Sequence, residues 1–441
     1  MQDYFYRLVD FIMERLSAEE IVLCNFSAED SDFVRFNRSA IRQAGTVAQR
    51  SLDIKLIVGQ RQANGDIALC GDLGIDGERA VALVDRLRAQ LPYLPEDPHL
   101  LYASDVESSE HLGENRLPEE RGVIVEAILQ AGRGRDLVGM SAAGGIHAGF
   151  ANSFGQRNWF STYTYNVDWS FYLSGDKAVK TVDAGFVWDP KEFERKVDKA
   201  VQQLEGLSFP AKTISPGQYR VYLAPAAVCE VIELLNWGGF GLKEQRTKQT
   251  PLIKMIEEGL RLHPGITLLE NTRDGVAPNF QEDGFHKPDQ VRLMENGTLS
   301  DCLVSPRSAK EYGVHTNGSS GWEAPDSVEM ASGEITQDAL LERLDTGVYI
   351  NNLWYLNYSD RAACRMTGMS RFATFWVENG EIQAPLNVMR FDESVYRFLG
   401  TNVIGITAER EFLLDPDTYH ARSTGSSRLP GILTEDFTFT L

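Results

Sequence analysis

Glu230 and Glu233 are the residues best placed by pattern to do chemistry, because a strand feeds directly into the helix that carries them. Tyr219 to Ala224 read as that strand, and Pro225 then occupies a first helical position, where its missing N–H costs nothing. Val228, Val231, Ile232 and Leu235 follow at the spacing of a buried helical stripe. Glu230, Glu233 and Trp237 therefore fall on the opposite face, and Gly238-Gly239 ends the helix. Two carboxylates could exchange protons with something bound beside them, yet nothing on the helix fixes what they would act on. No histidine lies on this helix, so it cannot hold a zinc ion by itself.

Other groups are sparser. Glu282, Asp283 and His286 offer two carboxylates and an imidazole within five residues, a set that would need ligands from elsewhere to hold a metal and that otherwise reads as an acidic turn. His315-Thr316-Asn317-Gly318 is a polar loop, a kind of segment that carries contacts disproportionately. Five cysteines (Cys24, Cys70, Cys229, Cys302, Cys364) are scattered and never form a C-x-x-C pair, which fits free thiols in a reducing compartment. There is no Gly-x-Ser-x-Gly elbow, no Gly-x-x-x-x-Gly-Lys-Ser/Thr loop and no Gly-x-Gly-x-x-Gly after a strand. Serine hydrolysis and nucleotide cofactors thus have no anchor, and Ala142 to Gly145 reads as a strand turn. Tyr163, Tyr165, Trp169, Phe171 and Tyr172 form a mostly alternating aromatic ladder, read first as the packed face of a sheet and second as a groove for extended peptides.

The elements around these groups read as α+β. At 441 residues the chain exceeds one ordinary core, and 43% hydrophobic with 10% aromatic residues is globular composition. A formal charge of −20 argues against nucleic-acid and anionic-membrane partners, and no apolar run approaches a membrane span. The N-terminus is too charged for a signal peptide and instead makes an amphipathic helix on Phe5, Leu8, Val9, Ile12 and Leu16, consistent with a cytoplasmic protein. β-rich runs follow from Glu20 to Ser27, Phe33 to Gly45, Ser51 to Gly59 and Asp66 to Cys70, with turns expected at Asn37, Gly59 and Asn64-Gly65. Helices are expected from Gly77 to Leu91, from Pro118 to Ala131 and from Lys191 to Leu204; a long acidic loop separates the first two, and Asp136 to Trp188 reads as β. The Pro-containing stretch from Ser208 to Gly217 is the expected boundary between domains at 1–210 and 211–441.

Several of these segments together resemble the TldD/PmbA family. Pro216 to Pro225 (PGQYRVYLAP) is similar to its PGxxxVVLGP strand, Ala151 to Gly155 (ANSFG) to its ANSNG turn, and LMENGTLSDCLVSPRSAKEYG and GMSRFATFWVENGEIQAPLN to its hairpins. In the family's active subunits the strand is followed by His-Glu-x-x-x-His; laid on that frame, the three positions fall at Glu233, Leu234 and Gly238. The family's further cysteine ligand has no equivalent in the segment from Gly347 to Asp360. The resemblance therefore implies the PmbA (TldE) side of the family: a non-catalytic subunit, without catalytic or metal-binding residues of its own, working beside a TldD-like partner that supplies the zinc and hydrolyses unfolded peptides. It also implies an N-terminal α/β domain with a curved antiparallel sheet and a C-terminal antiparallel, barrel-like domain with flanking helices. His315, Thr316, Asn317 and Glu230 are the expected contacts to peptide or partner. A stand-alone homodimer that binds peptides or small molecules without protease activity is the alternative, and a divergent enzyme site around His286 or His315 is a third reading.

Overall fold

The computed structural model describes residues 1–120, 122–175 and 177–441. Its first sheet comprises β1 (Ile21–Asn37), β2 (Ala40–Val58), β3 (Arg61–Ala68), β4 (Ser109–Leu112), β5 (Asp136–Asn152), β6 (Arg157–Ser174) and β7 (Lys177–Gly185). They lie in the order β3-β2-β1-β5-β6-β4, with β7 also on β6, and every pairing is antiparallel except β4 with β6. Helices α1 (Gln2–Met13), α2 (Leu73–Gln90) and α3 (Gly122–Ala131) cover one face. α1 buries Phe5, Leu8, Val9 and Ile12, the stripe its periodicity predicts, each contributing about 1.5–3 kcal/mol. α2 begins at Leu73, earlier than its apolar period suggests, because the Asp72 side chain accepts from the N–H groups of Gly74 and Ile75.

Two local expectations need correction. The chain reverses at Arg38-Ser39, both with positive φ, and at Gly59, but Asn64-Gly65 is no turn. Asn64 and Gly65 sit within β3, opposite Lys55 and Ile54. Gly65 is there for close packing: a Cβ at this position would lie 3.0 Å from Leu83 of α2. The helix expected from Pro118 starts at Gly122; Pro118 to Glu120 are non-helical, and Arg121 lies outside the described residues.

After α4 (Pro190–Gly206) the second sheet takes over. Its strands are β8 (Gly217–Leu223), β9 (Leu268–Glu270), β10 (Val291–Glu295), β11 (Thr298–Leu299), β12 (Ser327–Met330), β13 (Gly347–Asp360), β14 (Arg365–Glu378), β15 (Glu381–Pro385), β16 (Arg390–Ser394), β17 (Val403–Leu414) and β18 (Ser426–Phe439). β8 pairs with β13 on one side and β18 on the other, and β18-β16-β14-β13 completes the circuit, so five strands close into a barrel. Closure removes the exposed edges an open sheet would present. Most pairings are antiparallel; β8 with β13 and β12 with β18 are parallel. Helices α5 (Pro225–Asn236), α6 (Leu242–Arg246), α7 (Ile253–Glu257), α8 (Pro306–Tyr312) and α9 (Leu340–Leu344) flank it.

The strand period of two divides the core. Val221 and Leu223 of β8 point into the large cluster closed by α5, whereas Tyr222 between them points into a second cluster with α3 and α4. That second cluster joins the two sheets, packing Phe36, Trp169 and Phe171 with Leu344, Tyr349 and Phe375. Tyr165, Trp169 and Phe171 of the aromatic ladder are core, as first read; Tyr163 lines an open groove. No helix among the described residues is long and apolar enough to cross a membrane.

Candidate functional site

α5 grows directly out of the barrel. Ala224 is extended, its N–H donates to the Ile350 carbonyl of β13, and Pro225 opens the helix. Ala227, Val228, Val231, Ile232 and Leu235 are buried, which leaves Cys229, Glu230 and Glu233 on the other side. The Cys229 thiol donates to Glu233 Oε1 at 3.4 Å. Burial pushes the Cys229 thiol well up, so it stays protonated as that donor. Water reaches the Glu233 side chain, but protein crowds its carboxyl. That desolvation, followed by the Glu230 charge, raises it to about 7. Desolvation also raises Glu230, against the pull of Lys180 on β7. The face thus holds a carboxyl that can take or release a proton near neutral pH.

The three positions of the metal frame do not converge. Leu234 is half-buried against the barrel core, and its carbonyl accepts from the Tyr358 hydroxyl at 2.9 Å. The helix stops at Asn236 because Trp237 (φ −72, ψ 80) forms an inverse γ-turn, with the Gly238 N–H donating to Asn236 O at 2.8 Å. Gly238 then adopts φ +78, and a Cβ there would lie 2.7 Å from Arg361 Nη2 and 3.0 Å from Glu244. Arg361 holds that place firmly: it donates to Trp237 O at 2.6 Å and Gln249 O at 3.0 Å and lies over the Trp237 and Tyr358 rings. Glu233, by contrast, faces Cys229, Glu230, Lys180 and Asp415. With no imidazole and two positions aimed at different neighbours, these residues do not fit a zinc ion.

The turn after α5 is bound to the polar loop read from sequence. Leu303 N donates to Phe240 O and Leu242 N to Leu303 O, and the fully buried Glu323 accepts from Lys243 N, Ser305 N and the Ser305 hydroxyl, each at 2.8 Å. Thr316 Oγ1 donates to Val304 O, and Asn317 bonds both Val304 N and Cys302 O, so both side chains shape the loop from within. His315 is exposed. The structure therefore brings the α5 terminus and the 302–323 loop together, with Glu230 and Glu233 on a different side of the helix.

The acidic turn at 281–286 does other work. Asp283 pairs with Lys55 of β2 at 2.5 Å, Glu282 O accepts from Asn25 of β1, and His286 Nε2 meets Asn279 at 2.8 Å. This turn fastens the barrel half to the first sheet. Among the described residues no three of His, Cys, Asp and Glu are gathered closely enough to hold a metal.

A large concavity lies elsewhere; of its lining, the sequence points only to Tyr163, through the second reading of the aromatic ladder. A groove of about 1260 Å³ lies over the first sheet between the start of α1 and residues 117–120 and 122–125. Its floor includes Asp30 of β1, Ser141, Gly145 and His147 of β5, and Trp159 and Tyr163 of β6. His147 is buried between the Trp159 ring (6.0 Å) and the Tyr163 ring (5.9 Å), and burial lowers its pKa. Only strand register reveals this grouping: His147 lies opposite Ser161, and Gly145 opposite Tyr163. The glycines read as a turn are in fact mid-strand in β5.

Residues 216–441 match the family model of the PmbA/TldA metallopeptidase C-terminal domain, which puts the barrel and its strand-fed helix among metallopeptidase-related scaffolds. The chain belongs to the PmbA/TldD family. A Haemophilus influenzae protein described as a metalloprotease PmbA homolog is 33% identical over 113 residues, spanning 24% of this chain and 23% of that one. TldE from Thermococcus kodakarensis superposes with a TM-score of 0.76 at 15% identity, covering 99% of this chain and all of that one (100%). A Thermotoga maritima protein described as a candidate modulator of a DNA gyrase gives 0.76 and 15% over 99% of both chains. A Bacteroides thetaiotaomicron protein of like description gives 0.74 and 14%, over 99% and 98%. At these identities the structures establish a shared fold.

Proposed function

We propose that this chain is the non-catalytic, TldE-like subunit of a two-chain zinc metallopeptidase that processes unfolded peptides in the cytoplasm, the zinc being held by a TldD-like partner. The observation that carries this reading is Arg361 in the place of the second ligand. The family scaffold is kept through the strand and the helix, while a guanidinium tied to Trp237 O and Gln249 O fills the space beside Gly238. Glu233 stands at the first ligand position and an apolar Leu234 at the position of the family's base. The chain would then contribute peptide-contacting surface, with Glu230 and His315 as exposed or half-exposed polar groups near the α5 unit. Co-expression with a TldD-like chain tests this: a stable complex whose peptidase activity is abolished by a chelator and restored by zinc is expected. Failure of the two chains to associate would sink it.

A second reading, a stand-alone homodimer that binds peptides, is favoured by the groove of about 1260 Å³ and its aromatic floor. A stable dimer of this chain alone, saturating with peptide in the absence of any partner, is the result that would select it.

A further inference from the structure

The chain carries a net charge of −20, yet four arginines converge on one pocket of about 570 Å³ between the first sheet and the barrel half. Arg116 follows β4, Arg273 follows β9, Arg410 belongs to β17 and Arg428 to β18. Their charges are unevenly answered. Arg410 is paired with Glu329 and also donates to Met330 O at 3.0 Å. Arg273 and Arg116 reach Asp274 and Glu114 only at 3.5 and 3.9 Å, with all four side chains more than half exposed, where such pairs contribute little. Asp274 and Glu329 are both held by Asn271 Nδ2, which restrains them from swinging toward the other guanidinium groups. Arg428 has no ion-pair partner among the described residues. Its guanidinium lies 5.2 Å from the centre of the Phe412 ring, which stacks on Phe186 at 5.6 Å.

A guanidinium fixed on an aromatic face presents its N–H fork in a set direction, the arrangement that recognises an oxyanion through two parallel hydrogen bonds. The pocket is also lined by residues 111–114 and by Thr162 and Tyr163 of β6. β4 pairs with β6 as far as Ser161 and β7 begins at Tyr165, so Thr162 and Tyr163, which line the pocket, have no neighbouring strand on that edge, and a short extended ligand could align there. Leu112 and Tyr163 line both this pocket and the large groove, so the two adjoin.

We propose that this pocket binds an oxyanion-bearing ligand, with Arg428 and Arg116 as the contacting groups. The chemistry is shared by two sources, the terminal carboxylate of a peptide and a phosphate group. The inference is independent of the subunit reading, since the assay needs only the isolated chain. Isothermal titration would compare a short peptide free of acidic side chains, its C-terminal amide, and inorganic phosphate, against the wild type, Arg428→Gln and Arg116→Gln. Arg116 is exposed and lies outside regular strands, so its variant tests the site even if Arg428→Gln perturbs packing. The expected result is saturable binding with a Kd of about 1 mM or tighter to the free-acid peptide or to phosphate, weakened roughly tenfold or more by each substitution. Binding of the peptide acid with loss for the amide identifies the carboxylate; binding of phosphate alone identifies the other source. No saturable binding of either anion, or binding unchanged in both variants, overturns the proposal.

Discussion

Putting the family ligands back should fail to restore a zinc site. In the triple variant Glu233→His, Leu234→Glu, Gly238→His, residue types would match the active pattern, but the backbone would not. An i, i+5 pair lies about 140° apart on a regular helix, so the second position converges only if the chain bends the right way. Here the bend at Trp237 aims Gly238 toward Arg361 and Glu244, while Glu233 faces Cys229, Lys180 and Asp415. A histidine at 238 also meets three costs. A non-glycine residue at φ +78 costs about 1–3 kcal/mol. Displacing Arg361 from Trp237 O removes a charged hydrogen bond, about 1.5–3 kcal/mol, and moving it off the Trp237 ring about 0.5–1 more. Gly238→Ala and Gly238→His should therefore lower urea stability by several kcal/mol, about 4 for the histidine, with the slope unchanged. Equilibrium dialysis followed by metal analysis of the triple variant should find no stoichiometric zinc. One zinc per chain held at about micromolar affinity or tighter, in a variant as stable as wild type, would refute the geometric reasoning.

Three further outcomes follow from buried groups. Glu270 is buried beside Asp326, and burial, then that charge, raise its pKa; the folded chain holds its proton more tightly than the unfolded one. Stability should thus fall as pH climbs from the unfolded carboxyl value of about 4.3 to the raised folded one, and Glu270→Gln should flatten that slope in denaturation curves compared at mildly acidic and at neutral pH. Arg422 is buried against the first sheet, donating to Ser31, Gly144 O and Thr164; Arg422→Met should cost about 2–4 kcal/mol and loosen the 415–425 loop in hydrogen exchange, and an unchanged exchange pattern would contradict its anchoring role. Ile232 is fully buried on the core-facing side of α5, so Ile232→Ala should cost about 2–5 kcal/mol; a loss below about 1 would mean that α5 is not a structural part of the barrel core.

What could be read from sequence was what short-range physics determines. The α1 stripe and the α5 stripe follow from the 3.6-residue period, and Pro225 and Gly238 mark the ends of α5 through the conformations they permit. Asn64-Gly65 misled for a related reason. Its composition suits a turn, but the deciding contact is with Leu83, distant in sequence, which needs the space a side chain would fill. Likewise Thr316 and Asn317 look like exposed polar residues, and only their bonds to the 302–304 segment reveal that they are internal hydrogen-bonding groups.

Barrel closure and both concavities lie beyond any local pattern. β8 meets β18 across most of the C-terminal half, pairing Gly217 with Phe439, and no window of sequence contains that contact. The arginine pocket draws its four guanidinium groups from four separate elements, so each reads singly as a solvated surface residue. Net charge hides it as well, because an overall −20 averages a local positive site into an acidic background. The same separation bears on the α5 face: desolvation and then the Glu230 charge raise Glu233, while Asp415 adds to that rise and Lys180 opposes it, both far along the chain. Ligand types can be compared position by position along a chain. Whether those positions face one another is a tertiary property, and here Arg361 and Trp237, rather than the missing histidines alone, keep them apart.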